Sequence, residues 1–415
     1  MERIEIERID IKGSIVEYTF SFSKRLEKYF VSKSIFIDFG VDVSLVPLSM
    51  LSIPFVSCMS GLSWIADAVI FVDELDETFY RSYRNIKAAY QELHYDYPFR
   101  GMLVPSILRE NRIKRNDRSI LLFGGGIDCQ TSFLRHRETI PYICNVYGWL
   151  EEETDESDVD ISDRMKTEEF ARRMGTESLH VRSNIFKVFD HQVIDRDFEQ
   201  RLRTNYWYGF LHSMTFISIA MQPCFVTGIS NVMVASSFTK GRANSVCASL
   251  MTTDSEFLFA GEGRTIHDAF EMSRQDKVGY LVRYQKKSGQ RYPLQVCSFN
   301  DHNCGECDKC FRTMVEIAAE GGDPRNFGFS YDGSLTSHLK SVMERRLFNW
   351  GIWKENYYYQ LARKRIEGSP DNCHDKEFVD WFLSYDFVEE RKKAKSAYYR
   401  KNFWKILRRK LRNNK

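Results

Sequence analysis

The chain has 415 residues, of which 43% are hydrophobic and 28% are charged. This length is sufficient for two or three domains, and the composition excludes a largely disordered chain. The formal net charge is +2, but residues 391–415 carry 12 Lys or Arg and no Asp or Glu, which leaves 47 basic against 57 acidic residues in the first 390. The sequence therefore has an acidic body and a basic tail.

The sequence contains no uninterrupted apolar run of the ~18 residues that a membrane span requires. Its start, MERIEIERID, alternates charged with apolar side chains, which differs from the apolar core of a signal peptide. We therefore expect a cytoplasmic protein.

Apolar residues alternate with polar ones in three N-terminal stretches, at residues 4–9, 15–22 and 35–39. A period of two predicts half-buried antiparallel strands. Spacings of three and four between apolar residues predict a helix over residues 73–93. We expect residues 1–115 to form an α+β extension with a structural or dimerisation role.

From residue 116 the pattern changes to short apolar runs that alternate with helical periodicity. The predicted elements are, in order, a strand at 119–123, a helix after the glycines, a strand at 139–148, a helix at 163–174 that ends at Gly175, a strand at 178–182, a long helix at about 201–221 and a strand at 231–237. Alternating strands and helices predict an α/β fold with a parallel sheet and crossover helices. Ligands of such sheets bind at the carboxyl ends of the strands.

A glycine-rich turn separates the first of these strands from its helix. The turn and the first helical residues are Gly124, Gly125, Gly126, Ile127, Asp128 and Cys129. Glycines let the backbone approach a ligand closely, and the free amides at the start of a helix favour an anion such as phosphate. We expect Asp128 to cap the helix or to help hold a cation beside that anion. A purely structural turn is the alternative.

The spacing excludes two common nucleotide-binding loops. The G-x-x-x-x-G-K-[ST] loop requires a lysine after its last glycine, and none follows Gly126. The G-x-G-x-x-G fingerprint requires a glycine at the position of Cys129.

Four cysteines occur in the pattern C-x6-C-x2-C-x2-C, and they are Cys297, Cys304, Cys307 and Cys310. Four thiolates at these intervals can close a tetrahedron around Zn²⁺, and a full set of sulfur ligands leaves no open position for catalysis. The pattern therefore predicts a structural zinc site. An iron–sulfur cluster and unliganded core cysteines are the alternatives.

The glycine turn resembles the S-G-G-x-D-S loop of the PP-loop ATP pyrophosphatases, with Gly124 and Cys129 in place of its two serines. With the cysteine motif about 170 residues later, the sequence is similar to the 7-cyano-7-deazaguanine synthase family of the queuosine pathway over roughly residues 119–313. Asp276 and Lys277 match an Asp-Lys pair that precedes a helix in that family. A segment beginning at Leu211 stands where the family has Gly-Arg-Asn.

This resemblance implies a Rossmann-like, adenine nucleotide alpha hydrolase-like domain over residues 116–328, with a helical C-terminal region at 329–415. It implies that ATP is cleaved between its α and β phosphates, that a carboxylate is adenylated and that a nitrogen nucleophile displaces AMP. In such an enzyme the turn amides and Mg²⁺ would hold the phosphates, and the catalytic residues would be Asp128, Lys277 and Arg274. The acceptor would be a deazapurine-like acid, a nucleotide sugar or a protein amine.

Two alternatives to this enzyme follow from the same residues. The loss of both loop serines is also typical of a weak or inactive nucleotide-binding scaffold or sensor that acts with a partner protein. Sulfur transfer onto RNA is disfavoured, since no additional cysteine pair lies near the turn.

Other residues near the predicted site have both structural and functional interpretations. Cys129 lies at a helix N-terminus, which lowers a thiol pKa and would permit a covalent role. His212 and His267 are expected to be structural histidines rather than proton carriers. Ser236 and Ser237 end a strand on the binding edge, and Trp149 is a candidate for stacking on adenine.

The basic tail places apolar residues among many cations, namely Phe403, Trp404, Ile406, Leu407 and Leu411. This pattern is typical of a helix that binds an anionic membrane or a protein partner, and equally of a helix that docks on the acidic body of the same chain. A homodimer is a further candidate assembly. No motif indicates specific nucleic-acid binding.

Overall fold

The computed structural model describes residues 1–148, 158–240, 250–297, 300–346, 357–369, 372–373, 375–386 and, in the tail, 389–390, 392–393, 395–396, 399–400 and 402. The chain divides into two compact units, Met1–Ser273 and Arg274–Lys415. These units differ from the three predicted regions, because the first unit contains the N-terminal extension and most of residues 116–328. Trp149 and the apolar residues of the basic tail lie outside the described residues.

The first unit is built on an 11-stranded mixed sheet. Its strands are β1 (Glu2–Lys12), β2 (Ile15–Phe22), β3 (Ser34–Asp38), β4 (Ala68–Asp76), β5 (Met102–Arg109), β6 (Ser119–Leu122), β7 (Tyr142–Tyr147), β8 (Ser178–Ser183), β9 (Asn231–Ala235), β10 (Leu258–Phe259) and β11 (Gly263–Asp268). Across the sheet they stand in the order β10-β11-β9-β6-β7-β8-β3-β2-β1-β4-β5. Its helices are α1 (Leu48–Ile65), α2 (Glu77–Leu93), α3 (Ile127–Arg135), α4 (Asp158–Met174), α5 (His191–Leu202), α6 (His212–Thr227) and α7 (Met251–Asp254).

Five neighbouring strands, β8, β7, β6, β9 and β11, pair in parallel. Numbered by their order in the chain, they stand as 3-2-1-4-5, the strand order of Rossmann-like folds. The predicted α/β fold with parallel strands is therefore confirmed, and the four predicted strands correspond to β6–β9. The sequence does not predict β11, because GRTIHD mixes charged and apolar residues.

The N-terminal strands continue the same sheet. β1, β2 and β3 pair antiparallel, as the alternating pattern predicts, and β3 pairs antiparallel with β8. The helix predicted from residue 73 begins only at Glu77, so its predicted start is wrong. Residues 73–76 belong to β4, and the buried carboxylate of Asp76 accepts from the Phe79 amide at 2.8 Å to start α2.

Two helical segments of the first unit, Leu48–Ile65 and Trp207–Thr227, have the length and composition of a membrane span. In the folded protein 94% and 78% of these segments are buried. Serines interrupt the apolar run of α1, and two of them bond one turn back, Ser52 to the Leu48 carbonyl and Ser60 to the Val56 carbonyl. Helices that are buried to this extent belong to the core of the first unit.

The prediction of one long helix at 201–221 is wrong, because the helical structure is interrupted there. α5 ends at Leu202, and Arg203 closes it with a φ of +60°. The Asn205 side chain then accepts from the Tyr208 amide at 2.9 Å, and a π-helical turn, Trp207–Leu211, leads into α6. The apolar periodicity continues across this break, so it could not reveal the break.

The second unit is helical where it is described. Its helices are α8 (Arg274–Ser288), α9 (Asp308–Ala319), α10 (Leu335–Arg346), α11 (Tyr357–Gly368) and α12 (Lys376–Ser384). No strand follows Asp268 in the part of the chain that the structure describes, so the strands stop earlier than the sequence pattern predicts.

The core of the first unit contains a histidine that stays neutral below the usual histidine pKa. His94 is 1% exposed, and its ring stacks on Phe210 at 4.9 Å. Burial lowers the pKa of His94 to about 4. In the unfolded chain a histidine pKa is about 6.5, so between these values only the unfolded state takes up the proton.

We therefore expect the free energy of unfolding to fall by about 2 kcal/mol through His94 as the pH is lowered from about 6.5 to about 4.5. The His94→Leu variant should lose this part of the pH dependence. Urea denaturation followed by tryptophan fluorescence at several pH values measures it. His302→Leu is the control, because the His302 side chain is 73% exposed. Equal pH slopes for wild type and His94→Leu would contradict the prediction.

Candidate functional site

The glycine turn connects the end of β6 to the start of α3. Gly126 is the N-cap residue of α3, and no side chain caps the helix. Gly125 has a φ of +70°, which side chains other than glycine rarely adopt. Gly124 is exposed, and a Cβ added there would meet no heavy atom within 4 Å. The turn therefore combines a helix N-terminus that no side chain caps with open space beside Gly124.

Asp128 is not the N-cap residue, so the predicted capping role is wrong. It lies in the first turn of α3, where a carboxylate interacts favourably with the helix dipole. The other role predicted for Asp128 is that of a cation ligand beside a bound anion. That role stays a prediction.

Buried amide side chains hold the carbonyls of the glycine turn inward. Gln130 Nε2 donates to the Gly125 carbonyl at 2.7 Å, and Asn145 Nδ2 donates to the Phe123 carbonyl at 3.1 Å. The Phe123 amide in turn bonds to the carbonyl of Cys144 on β7 at 2.8 Å. Sequence reasoning missed Gln130 and Asn145, although each is a polar residue within an apolar stretch.

Cys129 is a packing residue rather than a reactive thiol. It is 7% exposed, and its Sγ lies 3.3 Å from the Gly126 carbonyl, to which it donates. Burial raises the pKa of Cys129 to about 12, against the smaller lowering by the amides of the turn. The expectation of a lowered thiol pKa is therefore wrong, because desolvation outweighs the helix N-terminus.

The other end of α3 is tied to β11. Asp268, the last residue of β11, accepts from His136 Nε2 at 3.0 Å and forms an ion pair with Arg135 at 3.3 Å. Burial would raise the pKa of Asp268, but the hydrogen bonds from His136 and Ser132 and the charge of Arg135 leave it lowered. This ion pair fixes the axis of α3, and thus the direction of its amides, against the sheet.

The glycine turn lies where the strand order reverses. β6 pairs with β7 on one side and β9 on the other, and the carboxyl ends of β6 and β9 form the edge at which Rossmann-like sheets bind ligands. Ser236 follows β9 and is buried, and its Oγ donates to the Phe238 carbonyl at 2.6 Å. Ser236 thus stabilises its own turn, whereas Ser237 is exposed at this edge.

The two predicted histidines lie among core contacts. His267 Nδ1 is 2.9 Å from Asp254 Oδ2, and both side chains are fully buried. His212 begins α6 between the rings of Trp207 and Phe216, and burial lowers its pKa. These positions agree with the structural role expected for both.

Arg274, Asp276 and Lys277 lie in the first turn of α8, in the second unit, and not ahead of the helix as the resemblance implies. The Arg274 guanidinium pairs with Glu316 of α9, with Nε 3.0 Å from each carboxylate oxygen. Asp276 pairs with Arg365 at 2.6 Å, and Lys277 is 1% exposed. The glycine turn and these residues belong to different units, and the phosphate-binding role of Lys277 and Arg274 stays a sequence prediction.

The four predicted metal ligands of the second unit come together. The Sγ atoms of Cys297, Cys304, Cys307 and Cys310 all lie within 4.8 Å of one another. Neighbouring sulfurs are 3.6 Å apart for Cys297 and Cys304, and 3.9 Å apart for Cys304 and Cys310. A ZnS₄ tetrahedron with Zn–S bonds of 2.3 Å has edges of about 3.8 Å. The four sulfurs therefore fit one metal ion such as zinc.

Main-chain amides shape this cluster. Cys304 Sγ accepts from the Cys307 amide at 3.2 Å, and Cys307 Sγ accepts from the Cys310 amide at 3.4 Å. The hydrogen bond from the Cys310 thiol is the largest of several that lower the pKa of Cys307 to about 5. Gly305 has a φ of +68° and lies against His338, whose Nε2 is 3.2 Å from the Gly305 carbonyl. Such amide donors stabilise thiolates, the form that binds a metal.

The fold and the two sites define the chain as an α/β protein with a Rossmann-like parallel sheet and a candidate tetrathiolate metal site. No protein-family model matches the chain, and no curated protein matches it.

We expect the purified protein to contain about one zinc ion per chain, bound by the four cysteines. The Cys310→Ser variant should lose the metal, and its second unit should be destabilised by about 3 kcal/mol or more, because metal binding is coupled to folding. Elemental analysis and thermal unfolding measure the two effects. Cys373→Ser, also a buried cysteine of this unit, should keep the metal. A metal content unaffected by Cys310→Ser would refute the site.

Proposed function

We propose that the protein is an ATP-dependent ligase or amidotransferase with an adenine nucleotide alpha hydrolase-like domain of the PP-loop class. The observation that carries the proposal is the uncapped glycine turn at the end of β6, beside β9 and with open space at Gly124. Free amides at a helix N-terminus favour phosphate, and this point of the sheet is where such folds bind nucleotides.

In the proposed reaction the acceptor carboxylate attacks the α-phosphate of ATP, and the bond between the α and β phosphates breaks. The products are an acyl adenylate and pyrophosphate, and a nitrogen nucleophile then displaces AMP to form an amide. The amides of the glycine turn would stabilise the charge that develops on the phosphates, since they are already oriented before the reaction. Asp128 would hold a Mg²⁺ ion, which neutralises phosphate charge when bound.

The metal site has a structural role in this proposal. Four sulfur ligands leave no open coordination position, so the ion would brace the segment before α9 without touching substrate.

The acceptor carboxylate would belong to a deazapurine-like acid or to an acidic nucleotide sugar. A protein amine would enter as the nitrogen nucleophile that displaces AMP.

A second candidate is a nucleotide-binding scaffold or sensor with little or no turnover. Cys129 favours it, because its thiol bonds inward to Gly126 and offers no hydroxyl to a phosphate. Gly124 likewise has no side chain that could donate. Such a protein would bind ATP and act through a partner.

With α-labelled ATP, Mg²⁺ and candidate acids, the ligase should release AMP and pyrophosphate together. Thin-layer chromatography of the labelled products measures this. Release of ADP alone would be inconsistent with cleavage between the α and β phosphates. Binding of ATP without AMP formation in any acceptor mixture would favour the scaffold.

The Gly124→Ala variant separates phosphate binding from folding. Its Cβ meets no protein atom, so the free energy of unfolding should change by less than about 0.5 kcal/mol, while ATP binding should weaken about tenfold through contact with the phosphates. Gly124→Ser combined with Cys129→Ser should instead tighten binding, since it adds hydroxyl donors. Isothermal titration measures both.

Gly368→Ala is the matched control, because its Cβ also meets no heavy atom within 4 Å and lies at the end of α11. Unchanged ATP affinity in Gly124→Ala would show that the turn does not hold the phosphates.

A further inference from the structure

A cavity of about 410 Å³ lies in the first unit, on segments that the glycine turn does not use. A 3₁₀ turn after β2, Lys24–Tyr29, forms one wall, and α5 forms the opposite one. The end of α1 and the side chain of Tyr97 complete it. Its volume is within the range of small-molecule sites.

The cavity and the glycine turn lie at the same edge of the sheet. β3 is antiparallel to both β2 and β8, so β2 runs in the direction of β8 and β6 and ends at the same edge. β2 stands four strand positions from β6, which at a strand spacing of about 4.8 Å corresponds to about 19 Å. One mononucleotide cannot occupy both places, so the cavity would take a separate ligand.

Apolar side chains lie beneath the cavity but expose little surface to it. Leu26, Ile65 and Phe198 line it and are 1%, 2% and 7% exposed. The Tyr97 hydroxyl donates to the Ile65 carbonyl at 2.9 Å, which holds the Tyr97 ring beside these side chains. The surface that a ligand can contact in this cavity is therefore mainly polar.

Two acidic residues, Asp67 and Asp197, line the cavity, and cations already pair with Asp197. Asp197 Oδ2 accepts from Lys28 at 2.7 Å and from the Tyr29 hydroxyl at 3.1 Å, and Asp197 Oδ1 accepts from Arg196 at 3.0 Å. The hydrogen bond from Lys28 is the main reason why the pKa of Asp197 falls to about 2.

Asp67 lies 3.8 Å from Arg100, which is outside the cavity. The lining cations Arg25, Lys28 and Arg201 therefore outnumber the two lining carboxylates by one.

Arg201 adds a cation that no carboxylate pairs with among the described residues. Its guanidinium lies over the rings of Tyr97 and Phe198, at 4.8 and 5.7 Å, and donates only to the Asp197 carbonyl, at 3.5 Å. The rings hold the guanidinium in place without neutralising it. Arg25 on the opposite wall has one carboxylate within reach, that of Glu2 at 3.8 Å.

We infer that this cavity is a second small-molecule site, which binds a flat organic ring bearing one anionic group. The ring would stack on the Arg201 guanidinium, and the anionic group would pair with Arg201 and Arg25. A nucleoside monophosphate and an aromatic carboxylate share this chemistry. Arginine is suited to both contacts, because its planar guanidinium stacks on rings and can donate two parallel hydrogen bonds to an oxyanion.

The test is isothermal titration of the full chain with guanosine monophosphate, adenosine monophosphate, indole-3-acetate and inorganic phosphate. At least one ring-bearing anion should bind more tightly than inorganic phosphate. Arg201→Met keeps the apolar stem over Tyr97 but removes the charge, and should weaken that binding about tenfold. Ala66→Leu adds bulk to the cavity lining and should weaken the binding of the ring-bearing anion too. Thermal unfolding verifies that both variants fold.

Arg196→Met is the matched control, because Arg196 also lies on α5 and bonds Asp197 but does not line the cavity. The affinity of this variant for the ring-bearing anion should stay within about twofold of the wild-type affinity. Equal affinity for inorganic phosphate and for every ring-bearing anion, or unchanged affinity in both Arg201→Met and Ala66→Leu, would overturn the inference.

The Gly124→Ala variant distinguishes this site from the glycine turn. Binding in the cavity should be the same in wild type and Gly124→Ala, whereas binding at the turn should weaken. A ligand lost in Gly124→Ala but not in Arg201→Met occupies the turn, which overturns the second site and leaves the proposed function standing. AMP release by Arg201→Met should equal that of wild type.

Discussion

The parallel pairing of β6 with β7 on one side and β9 on the other is the constraint on which the candidate site depends. Because β7 and β9 lie on opposite sides of β6, the carboxyl end of β6 is the point at which Rossmann-like sheets bind their ligands. The glycine turn stands at this point. The positive φ of Gly125 lets the chain enter α3 within four residues of β6, with its amides free of any side-chain cap.

Hydrogen bonding to the sulfur, more than burial or helix position, distinguishes the cysteines, since Cys129 and Cys307 are 7% and 8% exposed. Cys129 stands at a helix N-terminus, yet burial raises the pKa of its thiol to about 12. Cys307 also stands at a helix N-terminus, but hydrogen bonds from neighbouring thiols and amides lower its pKa to about 5. One residue type thus serves as an inert packing group in the first unit and as a metal ligand in the second.

The antiparallel pairing of β3 with β8 extends the Rossmann-like strands into an 11-stranded sheet. Without this pairing the first 115 residues would be the separate extension that their antiparallel pattern predicts. With it, β2 ends at the same edge as β6, and the N-terminal segment contributes a wall to the charged cavity near Arg201. One sheet edge therefore carries both the glycine turn and the proposed second site.

The sequence by itself determined features that depend on residue type and local spacing. Alternation and short apolar runs predict β1–β3 and β6–β9, glycines mark the turn at residues 124–126, and the interval pattern identifies the four cysteines that converge. These follow from local backbone preferences, which neighbouring residues set. Only the tertiary structure decided the break between α5 and α6, the existence of β11, the neutral state of His94 and the inward bonding of Cys129. The break before α6 depends on the bond between Asn205 and Tyr208, which the apolar periodicity does not reveal. β11 exists through its pairing with β9, and the pKa values of His94 and Cys129 depend on which segments exclude water from them. Spacing along the chain carries no information about those contacts.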